Sequence, residues 1–484
     1  MKVLKNLEPK KVFEYFEEIS QIPRGSGNEK QISDYLVGVA KKLNLEVIQD
    51  EALNVIIKKP GTKGYENSPT VIIQGHMDMV CEKNKGVDHD FEKDPIKLRI
   101  IDDMIYATDT TLGADNGIAV AYALALLNST DIPHPPLEIL LTTDEETGMS
   151  GAMAVSREHL KGKLLINLDN EEEGDFLVSC SGGIRSKFEL SAELEDRADN
   201  TSLVDISISG LKGGHSGMDI IKERGNSNKL LGRVLKNLLS EVDFRLVSLN
   251  GGSKDNAIPR EADALIVIKE SEVEKLEKLA NKWQEIFFNE LKVQDPGVKV
   301  KISEVKEEIS RVFTKDSTEK AINLLYLIPN GIDTKSPTIK DLVQSSTNLG
   351  VVRTENNKVH YDSAIRSSVE SLKEEIVIRS KTIAEIIGCK FETTANYPGW
   401  EYNPDSKLRE LCLDVYKRMY GKDGNIVAIH AGVECGLFNE KLGGLDMISF
   451  GPDLFDVHTP EEHMSIKSVQ NVWEYLKEVL KELK

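Results

Sequence analysis

Cysteine is scarce in this sequence: Cys81, Cys180, Cys389, Cys412 and Cys435 are the only five in 484 residues. An odd count without a Cys-x-x-Cys pair argues against a disulfide framework and against a zinc-thiolate site. Scattered free thiols suit a reducing compartment. Long apolar runs are missing too. The longest stretch, Ile118 to Leu127, is too short to cross a bilayer. Residues 1–20 mix charged and apolar side chains and lack the apolar core of a signal peptide. Positive charge is in deficit, with 61 Lys and Arg against 80 Asp and Glu, a net charge of −19. That balance argues against a nucleic-acid backbone or an anionic membrane surface as partner, since both need a basic footprint. What is there, 40% hydrophobic and 29% charged residues, is an ordinary globular composition. The length suggests two to three domains, and the sequence reads as that of a cytoplasmic protein.

Hydrophobic periodicity predicts helices at 11–19, 30–43, 118–128, 229–239, 272–292, 367–387 and 465–483. Continuous apolar runs at Thr70–Gly75, Leu137–Thr142, Leu164–Leu168, Asn425–Ile429 and Met447–Phe450 read as strands, and Leu45 to Ile57 as extended. Strands alternating with helices indicate an α/β domain whose central, mostly parallel sheet lies between helices. After Ser181-Gly182-Gly183 the pattern changes to apolar–polar alternation, as in Val204-Asp205-Ile206-Ser207-Ile208, the mark of half-exposed antiparallel strands. The first pattern returns near Tyr397. The expected organisation is one discontinuous α/β domain, 1–183 and 397–484, with an inserted α+β domain at 184–396. Such insertions cost little loop entropy.

Chemistry-bearing residues gather after the strands. His76 and Asp78 follow one strand at i and i+2, on the same side, where open α/β sheets bind ligands. Taken singly, His-x-Asp is equally a strand-end histidine bonded to a neighbouring acid. Asp115 sits in the turn Gly113-Ala114-Asp115-Asn116-Gly117, where an N-cap explains it as well. Asp144-Glu145-Glu146 follows a buried strand. Thr142 with Glu145, or Thr143 with Glu146, has capping-box spacing, but three adjacent acids repel unless a cation neutralises them. Asn167-Leu168-Asp169 closes the next strand, and His458 lies in a loop before the last helix. Together, two histidines and three carboxylates suit zinc, and are acceptable to cobalt or manganese.

Five segments carry a family resemblance: Gln74-Gly75-His76-Met77-Asp78-Met79-Val80, Thr111-Leu112-Gly113-Ala114-Asp115-Asn116-Gly117, Asp144-Glu145-Glu146-Thr147-Gly148, Asn167-Leu168-Asp169, and Gly451-Pro452 through His458-Thr459-Pro460-Glu461-Glu462. In this order the sequence resembles the dinuclear zinc peptidase superfamily of carboxypeptidases and aminoacylases, and within it the Xaa-His dipeptidases. The resemblance implies two Zn2+ per chain, with Co2+ or Mn2+ as substitutes. His76 and Asp169 would hold one ion, Glu146 and His458 the other, and Asp115 both. Asp78 would orient His76. Glu145 would take the proton from the attacking water and return it to the leaving amine. In the insertion, His215 of Gly213-Gly214-His215-Ser216-Gly217 would polarise the scissile carbonyl, Asn256 would hydrogen-bond substrate, and Arg366 would take its carboxylate. Read from residues alone, these three are equally a turn histidine, a turn asparagine and a surface arginine. The implied substrate is a small unblocked dipeptide, Xaa-His including β-Ala-His. An N-acyl amino acid deacylase is the alternative within the superfamily, and a non-catalytic metal- or peptide-binding protein the alternative outside it. The insertion would act as a lid, and a homodimer is implied. His430 and Glu434 are read together as pocket lining or as core. Glu171-Glu172-Glu173 is read as a solvated turn.

Overall fold

A computed structural model describes residues 3–484. The chain divides into two compact units. The first comprises residues 3–179, Trp400–Ala428 and Val433–Lys484; the second comprises Cys180–Gly399 and Ile429–Gly432.

The first unit is built on an eight-stranded sheet. Its strand order is Glu46–Gln49, Val55–Lys59, Leu137–Thr142, Val71–His76, Leu164–Asn167, Asp446–Ser449, Asp175–Cys180, Asn425–Ile429. The four middle strands, from Leu137–Thr142 to Asp446–Ser449, run parallel. They are apolar because both faces are covered: the His76 strand is buried at all six positions, as is Leu137–Thr142. The flanking pairs resolved by register are antiparallel. Residues 45–57, read as one extended segment, form a hairpin instead. The Asp50 carboxylate accepts the N–H groups of Ala52 and Asn54, both at 2.9 Å, and turns the chain there. Helix Ala114–Asn128 is apolar all round and almost wholly buried, as expected for a helix inside a core. Around it pack Phe13, Phe16, Ile73, Ile139, Trp473 and Leu476.

The second unit is α+β. Antiparallel strands form its main sheet, with central strands Val343–Glu355 and Lys358–Ser367 paired over their length. Helices Ser227–Leu238, Val273–Leu291, Lys315–Leu327 and Glu370–Ile387 accompany it, and Phe188, Leu231, Phe287 and Tyr361 are among its core. A two-stranded ladder pairs His215 with Ala257. Among the described residues, no helix is long and apolar enough to cross a membrane.

Candidate functional site

The parallel strands of the first unit end on the same side of the sheet, and each leads into a loop that carries a charged side chain. His76 closes its strand. Glu145 and Glu146 follow Leu137–Thr142, Asp169 follows Leu164–Asn167, and His458 follows Asp446–Ser449. Asp115 comes from the start of helix Ala114–Asn128 but does not cap it. Its backbone is non-helical (φ −80°, ψ 111°), and the N-cap position belongs to Gly113 at φ 68°. A side chain at Gly113 would also meet the Arg24 guanidinium at 2.5 Å. The amides of Leu112, Gly113 and Ala114 donate instead to the Glu462 carboxylate, at 2.8, 3.1 and 2.7 Å. That leaves the Asp115 side chain free to turn outward.

The Asp115 carboxylate faces two ways. Oδ1 lies 3.1 Å from His76 Nε2 and Oδ2 lies 3.1 Å from His458 Nε2. Asp169 Oδ1 is 3.3 Å from His76 Nε2, and Glu146 Oε2 is 3.0 Å from His458 Nε2. Donors about 2.0–2.1 Å from a tetrahedral ion lie about 3.3 Å apart, so these spacings suit a shared cation. Three groups are compact enough to hold an ion: His76, Asp115 and Asp169; Asp115, Glu146 and His458; and His76, Glu145 and Glu146. Asp169 Oδ1 is buried without a hydrogen-bond partner among the described residues, as a metal-ligand oxygen would be. The residues present fit two cations with Asp115 between them.

Charge is shared in the metal-free arrangement. Hydrogen bonds to Asp115 and Glu146 raise the His458 imidazole to about 11. His76 also lies well above its ordinary value: burial opposes its charge, but Asp169 and Asp115 outweigh it. Burial pushes Asp169 up to about 6 and Glu145 up to about 9. Asp78 is fully buried. Its carboxylate lies 3.3 Å from His76 Nδ1, and it accepts Ser26 Oγ at 2.8 Å and the amides of Glu145 and Glu146 at 3.2 and 3.3 Å. One side chain thus fixes both the imidazole and the two-glutamate turn.

That turn is not a capping box. Thr142 Oγ1 bonds to Gly75 O and Glu434, and Thr143 Oγ1 donates to Ala52 O. The three acids diverge. Asp144 at φ 57° accepts Ser150 Oγ, while Glu145 and Glu146 belong to the candidate metal groups.

In the second unit His215 and Arg366 meet. His215 Nδ1 accepts the amides of Gly217 and Met218 at 3.3 and 3.1 Å, so its proton sits on Nε2, 3.4 Å from Arg366 Nη2. Two donors side by side without an acceptor between them suit an anionic oxygen. Arg366 is buried, with Nη1 donating to Tyr397 Oη at 3.1 Å. Asn256 adjoins His215 through the small ladder, its carbonyl accepting the Ser216 amide at 2.9 Å. His430 and Glu434, read as one lining, part company: His430 Nε2 bonds Ser346 Oγ in the second unit, and Glu434 bonds Gln74 and Thr142 in the first.

Sequence reasoning gave no role to Arg24, Asn116 or Glu462. Arg24 is buried and donates to the carbonyls of Met77 and Asp78, both at 3.1 Å. Asn116 accepts the His76 amide at 3.2 Å and donates to Leu168 O at 2.9 Å, tying two of the loops together. Asn116 and Glu462 stand inside the segments that carry the family resemblance and Arg24 beside a Gly-Ser-Gly turn, but neither signal names a partner.

The profile of peptidase family M20/M25/M40 matches residues 72–482. The cytosol non-specific dipeptidase of Escherichia coli K12 is 40% identical over 483 residues, covering 100% of this chain and 99% of that protein. The crystal structure of aminoacylhistidine dipeptidase from Vibrio alginolyticus superposes with a TM-score of 0.96 at 39% identity, covering 99% of this chain and 98% of that one. Aminopeptidase PepT from Bacillus cereus shares the fold, with a TM-score of 0.56 at 16% identity and 99% of both chains covered.

Proposed function

The chain belongs to peptidase family M20/M25/M40, and on that premise we propose that it is a metal-dependent dipeptidase hydrolysing unblocked dipeptides, Xaa-His and β-Ala-His among them. The observation that carries this reading is Asp115, whose two carboxylate oxygens each face one histidine-and-acid group. We assign His76 and Asp169 to one cation, Glu146 and His458 to the other, and Asp115 to both. Zinc suits the donor set, and cobalt or manganese would substitute. Bound cations supply Lewis acidity and acidify water.

The chain's own residues do the rest. Asp78 holds His76 in the tautomer that presents Nε2. Glu145 takes the proton of the attacking water and delivers it to the departing amine, a role worth about 10²–10⁴ in rate. His215 presents Nε2–H to the carbonyl oxygen, and Arg366, braced by Tyr397, takes the substrate carboxylate. Asn256 adds a substrate hydrogen bond. The cytosolic relative supports a cytosolic location, and family resemblance supports a homodimer.

Protein stripped with chelator and reloaded with zinc should cleave β-Ala-His and Leu-Gly but not N-acetyl-Leu. Cleavage of the acyl amino acid alone would move the protein to the deacylases. Glu145→Gln should lower kcat by about 10²–10⁴ while metal content stays that of the wild type. Substantial turnover in that variant would remove Glu145 from the proton path.

A further inference from the structure

A row of polar side chains runs diagonally across the apolar sheet at the strand ends, Thr142 level with His76, and Gln74 and Asn167 level with each other two residues earlier. Asn167, Gln74 and Thr142 stand on three adjacent parallel strands and are at most 4% exposed. Asn167 Nδ2 donates to Gln74 Oε1, and Gln74 Nε2 donates to Glu434 Oε2 at 2.6 Å. Thr142 Oγ1 donates to the same oxygen at 2.8 Å. Glu434, 1% exposed, arrives 292 residues after Thr142 as the first residue of helix Glu434–Leu442. Its other oxygen, Oε1, is buried without a hydrogen-bond partner among the described residues.

Stability does not explain this row. The backbone ladders already join the three strands. Burial pushes the Glu434 carboxyl up to about 8, and a buried carboxyl with an unsatisfied oxygen still costs stability that hydrocarbon side chains of similar volume would not. Local rules broken without a structural gain mark functional places. The spacing shows what the row can set. Gln74 lies two residues before His76 on the same strand face. Thr142 precedes Glu145 and Glu146 by three and four residues, and Asn167 precedes Asp169 by two.

We propose that Glu434 is a positioning residue of the metal centre: as a hydrogen-bond acceptor it locks Gln74 and Thr142, and through them the relative heights of the strand ends that present His76, Glu145, Glu146 and Asp169. This rests on the ligand assignment above. A carboxylate fits because one oxygen takes both donors at once. Glutamine in its place offers the same acceptor, whereas leucine offers none.

The test uses cobalt-loaded full-length protein, read by its visible absorption bands, cobalt affinity, kcat and KM on Leu-Gly. Glu434→Gln should keep the wild-type spectrum and a kcat within about threefold. Glu434→Leu should loosen cobalt or lower kcat by about 10–100-fold, with altered bands and little change in KM. Thr142→Val, which at constant volume removes the donor to Glu434 and the acceptor of a 3.2 Å bond from Gln74 Nε2, should move the same readouts the same way by a smaller factor, and it carries the test if the leucine variant does not fold. Wild-type bands and kcat in Thr142→Val and Glu434→Leu would overturn the proposal. So would equal damage in Glu434→Gln and Glu434→Leu, since that would make some property of the carboxyl group other than its acceptor oxygen the active feature. Failure of the wild type itself to bind cobalt would instead sink the ligand assignment.

Discussion

His458 shows how a single side chain can serve two states. It is 47% exposed and holds a proton tightly between Asp115 and Glu146. In the metal-free chain both imidazoles are raised. Their ion pairs therefore stabilise fully below about pH 6.5, the ordinary histidine value, and the His458 contribution is lost as pH climbs through about 11. Metal demands the opposite, neutral imidazoles. Zinc binding at pH 7 is thus expected to release about two protons, and apparent affinity to rise with pH. Titration calorimetry in buffers of different ionisation enthalpy counts these protons. Zinc uptake with no proton release would show that the imidazoles stay outside the coordination shell. The residues themselves were legible because type and order sufficed: His76, Asp115, Glu146, Asp169 and His458 stand after strands or in Gly-rich turns. Their supports were not. Glu462 and Arg24 act on backbone amides and carbonyls tens to hundreds of residues away, and no local pattern encodes such a partner.

At the scale of elements, periodicity served where one face or all faces are apolar. Helix Val273–Leu291 was read within a residue at each end, and Leu137–Thr142 without error. It failed where a side chain reshapes the backbone. The turn at Asp50 splits one apparent strand into two, and threonines at capping spacing went to other partners because Glu434 and Ala52 lay closer to hand. Caps supplied from a distance are a habit of this chain. The end of helix Lys315–Leu327 is closed by Lys229, whose Nζ donates to the carbonyls of Leu325, Tyr326 and Ile328 at 2.8, 2.8 and 2.6 Å. Burial lowers the Lys229 amine to about 7, while the helix C-terminus favours its charged form. Lys229→Met should therefore lower the stability of the second unit by about 2 kcal/mol, since it leaves three carbonyls short of a donor. Denaturant unfolding followed through Trp283 fluorescence measures this, and an unchanged midpoint would mean that water replaces the amine at no cost.

For the whole molecule, two separate cores imply two separate stabilities. The candidate metal groups belong to the first unit alone. A ligand that binds only the folded form stabilises by about 4 kcal/mol at a thousandfold excess over Kd. Scanning calorimetry is therefore expected to show two transitions, of which chelator lowers one and spares the other. A single transition that moves as a block would show that the units unfold together. The α/β character was readable from the alternation of strands and helices. The strand order was not, because Asp446–Ser449 enters the middle of the sheet from far along the chain.

That insertion orders events on the ribosome. Strand Asp446–Ser449 lies between Leu164–Asn167 and Asp175–Cys180, yet its codons are read about 270 residues after theirs. At about 5–20 residues per second, the nascent first unit waits tens of seconds with a gap in its sheet and no His458. The second unit is translated almost whole in that interval. A peptidase assembled in this order cannot complete its proposed catalytic centre while most of its own polypeptide is still emerging.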